Sequence, residues 1–171
     1  MREDETNGTG QRDQLTAFHE AGHAVVAHLL GLTVSQVEIV GDGEKLGSCH
    51  TQRFSRMEAI AREHALEDAL LVACAGVVAE CLVSGSERWD EDSRDLERAV
   101  HLALRLTGDC EKAHALILRT RRRVRRALSR HWDAVEALAL RLEADRRMDA
   151  GAVRTLLDGM ITAPRTTPAR S

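Results

Sequence analysis

The sequence predicts a mainly α domain with one small β-hairpin or sheet beside its first long helix. Three observations point there. Both prolines, Pro164 and Pro168, lie near the C-terminal end, so nothing in the interior forces a helix to stop. Aromatic residues make up 2% of the chain and Tyr is absent, so the core must be built from Leu, Val and Ala, a composition that favours helices. Apolar residues recur at three- and four-residue steps over most of the length. At 171 residues the chain fits one domain with tails, large enough to bury roughly two thirds of its unfolded surface without staples.

Residues 1–12 and 161–171 read as polar, disordered tails, leaving 13–160 as the folded domain. The first helix is expected to start with Asp13 as its cap. Leu15, Phe18, Gly22, Val25, Val26 and Leu29 mark one face of it, and Gly31 is its stop. TVSQVEIV then shows the alternation of a strand, GDGEK is turn chemistry, and LGSCHTQ is the returning strand. Ser55-Arg56-Met57-Glu58 has the capping-box pattern, opening a helical stretch to Leu82 with a break near His64 and Gly85 beyond its end. SGSERWDEDS is a loop, after which Asp92 or Ser93 caps a helix from Arg94 to Leu106, stopped by Gly108. Helices over Cys110–Ser129, His131–Arg146 and Ala150–Leu157 complete the chain, the last ending at Gly159.

Composition excludes several functions. A net charge of −3 with so few aromatics argues against a nucleic-acid binder. RTRRRVRRALSR, 119–130, draws the eye, but Arg119, Arg122, Arg123 and Arg126 form a stripe on one helix face, read as solvated or subunit-contacting. The longest apolar run, Ala69 to Val83, is interrupted by Glu80 and falls short of a membrane span. The N-terminal MREDETNGTGQRDQ has no apolar segment of a signal peptide. Cys49, Cys74, Cys81 and Cys110 include no C-x-x-C pair and read as reduced core cysteines, which suits a cytoplasmic protein.

The chemistry sits in FHEAGHAVVAHLLG. On a helix, His19 and His23 share a face and can turn ring nitrogens to one zinc ion, while Glu20 lies close enough to act as general base on a zinc-bound water. Composition alone would produce H-E-x-x-H in about 0.03 of such chains, so the motif is specific without being decisive. A catalytic zinc needs a third protein ligand. The nearby extension H-E-x-x-H-x-x-G-x-x-H fails, because Val26 and Leu29 occupy its last two fixed positions. Two acids farther on remain: Asp95, in the first turn of a helix, and Glu80, inside the apolar AGVVAECLV, where a carboxylate needs a partner. Either can bind the metal while the other orients a ligand. His28, His50, His64, His101, His114 and His131 show no ligand spacing, although His50 and His101 can line the cleft.

AFHEAGHAVVAHLLG, VSQVEIV…LGSCHT, AGVVAECLVSG and SRDLERAVHLALRLTGD together resemble the peptidase domain of the FtsH family of zinc proteases. The likeness continues through ALSRHWDAVEALALRLEADRRMDAGAVRTLLD and covers roughly residues 13–158. It implies a zincin-like helical metallopeptidase domain with Zn2+ held by His19, His23 and Asp95. Glu20 matches the catalytic glutamate, and Glu80 a glutamate near the site. It further implies that the strand Leu46–Thr51, with Gly47 and Cys49 near the cleft, pairs with an extended peptide. The implied activity is endopeptidase cleavage of unfolded or flexible polypeptides; the alternative is a non-cleaving, zinc-containing binding or adaptor module of the same fold. The chain departs from the family in lacking a Walker A pattern and a membrane segment, so an ATPase partner acting in trans, or ATP-independent action, is expected, along with a homo-oligomer. The family's TTGAS-like loop is SERWDEDS here, and its GGR is AGV.

Overall fold

The structure, a computed structural model, describes residues 4–39, 48–51, 59–86 and 93–161. Its first helix, α1 (Asp4–Leu29), begins nine residues before the expected cap at Asp13. Nothing in residues 4–12 blocks a helix, and Thr16 Oγ1 donates to the Arg12 carbonyl at 2.9 Å inside the continuous turn. Asp13 lies within the helix rather than at its start, and its carboxylate accepts from Arg146 Nη1 at 2.8 Å. Arg146 is held at φ 64°, and its Nη2 and carbonyl both bond the backbone of Ile39. One side chain thus ties α1, the sheet and the sixth helix together.

Strands β1 (Val34–Glu38) and β2 (Ser48–Thr51) form the expected antiparallel pair, with Val37 opposite Cys49. The turn between them, with Gly47, lies outside the described residues. The sheet gains a third strand, β3 (Arg147–Asp149), antiparallel to β1 with Met148 opposite Val37. Three residues are too few to show alternation, which is why the sequence pattern runs a helix to Arg146 and signals no strand after it. The strand order β2-β1-β3 leaves β2 at an edge.

The capping box at 55–58 lies outside the described residues; α2 is described over Ala59–Ala73. The helical stretch breaks at Cys74, ten residues later than expected, and resumes as α3 (Ala75–Ser84), closed by Gly85 in the left-handed region. His64 carries no break because it is an ordinary exposed residue of α2. The break follows Val72, whose carbonyl turns to a side chain of α1. Helix α4 (Arg94–Thr107) starts after Ser93 and stops at Gly108 as expected. Helix α5 (Cys110–Arg130) is capped by Asp109, which accepts from Lys112 N at 2.8 Å. Helix α6 (Trp132–Asp145) follows directly, and α7 (Ala150–Met160), capped by Asp149 on Ala152 N, runs through Gly159 rather than ending there.

The core gathers around α1. From Glu20 to Ala27 every residue is buried, because α1 has α3 on one flank, α6 on another and the sheet beyond. Against α3 the approach is close: a Cβ at Gly22 would stand 2.7 Å from Ala79 Cβ and 2.8 Å from the Ala75 carbonyl oxygen. Against α6, Phe18 stacks on Trp132 with ring centroids 5.6 Å apart. Leu138 and Leu142 of α6 and Leu157 of α7 complete the packing. Cys74 and Cys81 are buried free thiols as expected, and burial pushes the Cys74 thiol up to about 12. Cys110, at the first position of α5, is exposed, which corrects its reading as a core residue. No described helix is long and apolar enough to cross a membrane.

Candidate metal centre

Four residues along α1 make a little more than one turn, so His19 and His23 stand one above the other, ring centroids 4.7 Å apart and nearly edge-on. Each ring is anchored through Nδ1. His19 Nδ1 lies 2.8 Å from Glu80 Oε1 on α3, and His23 Nδ1 donates to the Val72 carbonyl at 2.7 Å. Both Nε2 atoms turn to the same point, 3.0 Å from each other. Asp95, in the first turn of α4, brings Oδ2 to 2.8 Å from His19 Nε2 and 2.9 Å from His23 Nε2. Three donors from residues 19, 23 and 95 converge within 4.8 Å, the only such cluster among the described residues.

The charges are tightly coupled. Burial disfavours a charged His19, but its contacts with Asp95 and Glu80, with the nearby Glu20 charge, outweigh that and raise it to about 10. Burial works against an ionised Asp95 too, yet its contacts with the two histidines hold its carboxyl well below the usual carboxylate range.

The residues fit a zinc ion on two grounds. Two imidazoles and a carboxylate are a zinc donor set, and a hydrogen-bonded Nδ1 is what fixes a ligating imidazole with Nε2 forward. The second ground is Gly76. A Cβ there would overlap the His19 ring, with ring carbons at 2.6 Å, so α3 is hollowed at the place where that ring must stand. Sequence reasoning gives Gly76 no role; its position in the AGV triplet of the glutamate helix was the available signal. The Val72 carbonyl, a backbone group, had none.

Glu20 is 5% exposed, and its charge acts on His19 and on Cys49 of β2. Cys49 is half-buried, and burial, then the charges of Glu20 and Asp95, push its thiol far up, so it stays a neutral S–H. It stands beside the cluster and is not one of its three donors. The structure thus brings together His19, Glu20, His23, Glu80, Asp95 and Cys49. Gly47 and residues 87–92 of the SERWDEDS segment lie outside the described residues, as does the His50 side chain. His101 is exposed on α4 and does not join the group.

An H-E-x-x-H helix with an aspartate from a distant helix is the arrangement of a metallopeptidase domain. Residues 8–109 match the profile of Peptidase family M41. The chain belongs to that family. It is also 34% identical over 111 residues to the "ATP-dependent zinc metalloprotease FtsH" of Acidimicrobium ferrooxidans, a match that takes in 64% of this chain. The chain spans only 16% of that relative's length. The family match runs from α1 to the end of α4 and contains every residue of the cluster; α5, α6 and α7 lie beyond it.

Proposed function

We propose that the chain is a zinc-dependent endopeptidase acting on unfolded or flexible polypeptides. The observation that carries this reading is the convergence of His19 Nε2, His23 Nε2 and Asp95 Oδ2, with both Nδ1 atoms already committed elsewhere. Zinc held there supplies an acidified water and a Lewis acid for the scissile carbonyl. Glu20, next to His19 and buried, takes the proton of the attacking water and returns it to the leaving amine. Glu80 orients His19 and offsets the positive charge that the site gathers.

The edge strand β2 supports the substrate class. Cys49 of this strand lies within reach of the Glu20 charge, so an extended peptide added along β2 would run near the base. Strand addition reads backbone, so it suits many sequences but only unfolded ones. A folded substrate would need an ATPase to open it.

The test is digestion of a permanently unfolded protein by the zinc-loaded chain beside Glu20→Gln, with bound zinc counted in both. Cleavage by the wild type and its loss in the variant, at equal zinc content, is the expected result. Equal cleavage by both would overturn Glu20 as the general base, and none by the zinc-loaded wild type would overturn the reading in favour of a zinc-containing binding module.

A further inference from the structure

The chain separates its charge. Helix α5 holds eight of the 24 Lys and Arg but one of the 27 Asp and Glu, so it carries +7 while the rest of the chain carries −10. Arg119, Arg122, Arg126 and Arg130 are all exposed and follow three- and four-residue steps. Like charges therefore face each other along one stripe, which weakens a helix. None of these four makes an ion pair among the described residues. Among the described residues, the helix accepts the repulsion without a counter-charge paired to them.

Two shallow grooves flank the stripe and share Leu118 and Arg122. One, of about 260 Å³, has Val78 and Cys81 of α3 as its floor. The other, of about 680 Å³, lies between α4 and α5, with Leu106, Ala115 and Leu118 as its apolar part and Lys112, Arg119 and Arg122 around it. Leu118 is 37% exposed, among the few large apolar residues left in solvent. Cations here border an apolar floor. A phosphate backbone would use the cations and leave Leu118 idle, and neither groove has an aromatic ring for a base to stack on. A polypeptide offering carboxylates and apolar side chains together satisfies both halves.

We propose that the α5 grooves are a docking site for an acidic polypeptide segment bearing apolar side chains. Leu118 is the apolar contact, and Lys112, Arg119 and Arg122 receive the carboxylates. Leu106 lies about three turns along α4 from Asp95, roughly 16 Å at 1.5 Å per residue. On the endopeptidase reading above, the docked segment belongs to the substrate, and about five extended residues cover that gap.

The experiment reads binding, not cleavage. The zinc-loaded Glu20→Gln chain is titrated by fluorescence anisotropy against a labelled peptide of mixed Glu and Leu, its Gln-for-Glu counterpart, and a single-stranded oligonucleotide of equal charge. The acidic peptide is expected to bind about tenfold or more tighter than the Gln counterpart, and Arg119→Glu with Arg122→Glu to weaken it by about tenfold or more. Leu118→Ser is expected to weaken it by about threefold or more. All three positions are exposed, so thermal unfolding checks that the variants fold. No binding of the acidic peptide, full affinity in either variant, or oligonucleotide binding as tight as the peptide and indifferent to Leu118→Ser would each overturn the proposal. The two readings fail separately: a wild type that cuts unfolded protein can lack this site, and a chain that never cuts can have it.

Discussion

Helices α1 and α5 are the two longest of the described helices and treat polar residues in opposite ways. Helix α1 draws His19, Glu20 and His23 inward, and both histidines are held by atoms of other elements. Helix α5 turns its arginines outward and keeps only Ala113, Thr120, Val124 and Leu128 buried. Position decides what a charge does. On α1 a substitution meets packed neighbours, because burial leaves no solvent to compensate; on α5 most substitutions meet water.

The contrast can be broken or sharpened at graded positions. Glu20→Gln is expected to lower kcat/KM by about 10²–10⁴-fold with zinc retained, the range of a lost general base; a loss smaller than tenfold would remove Glu20 from that role. Glu80→Gln keeps the side chain's shape but weakens its hold on His19 Nδ1, and zinc affinity should fall by about 10–100-fold in a competition with a chelating dye. Unchanged affinity would show that His19 needs no such partner. Gly22→Ala sets a methyl against Ala79 and the Ala75 carbonyl and should cost about 1–3 kcal/mol in urea unfolding, though no donor is touched. Arg126→Gln, exposed on α5, should stay within about 0.5 kcal/mol of the parent in the same assay, and a larger loss would mean that the stripe is structural after all.

The legibility of the molecule follows the same division between local and distant causes. His19, Glu20 and His23 were readable because a helix alone puts i and i+4 on one face. Asp95 was not singled out by spacing: its 72-residue separation from His23 has no local meaning, and only the family likeness chose it over Glu80. Gly76 was invisible as a site residue because what excludes its Cβ is a ring on another helix. The stops at Gly31, Gly85 and Gly108 were legible because each takes a positive φ that glycine tolerates. The break at Cys74 was not, since the apolar run around it holds no proline and the competing bond, His23 Nδ1 to the Val72 carbonyl, is tertiary. Strand β3 escaped because it exists only by pairing with β1.

The stacking of Phe18 on Trp132 bears on how this domain could be moved between proteins. The stretch matching the family ends at residue 109, yet the helix bearing the zinc motif leans on α6, which comes after it. A fragment cut at that border would leave Phe18 and the neighbouring face of α1 in water. The border of the family match and the border of autonomy are different lines in this chain, and a graft of the centre into a new host would have to carry α6 with it or supply a substitute wall.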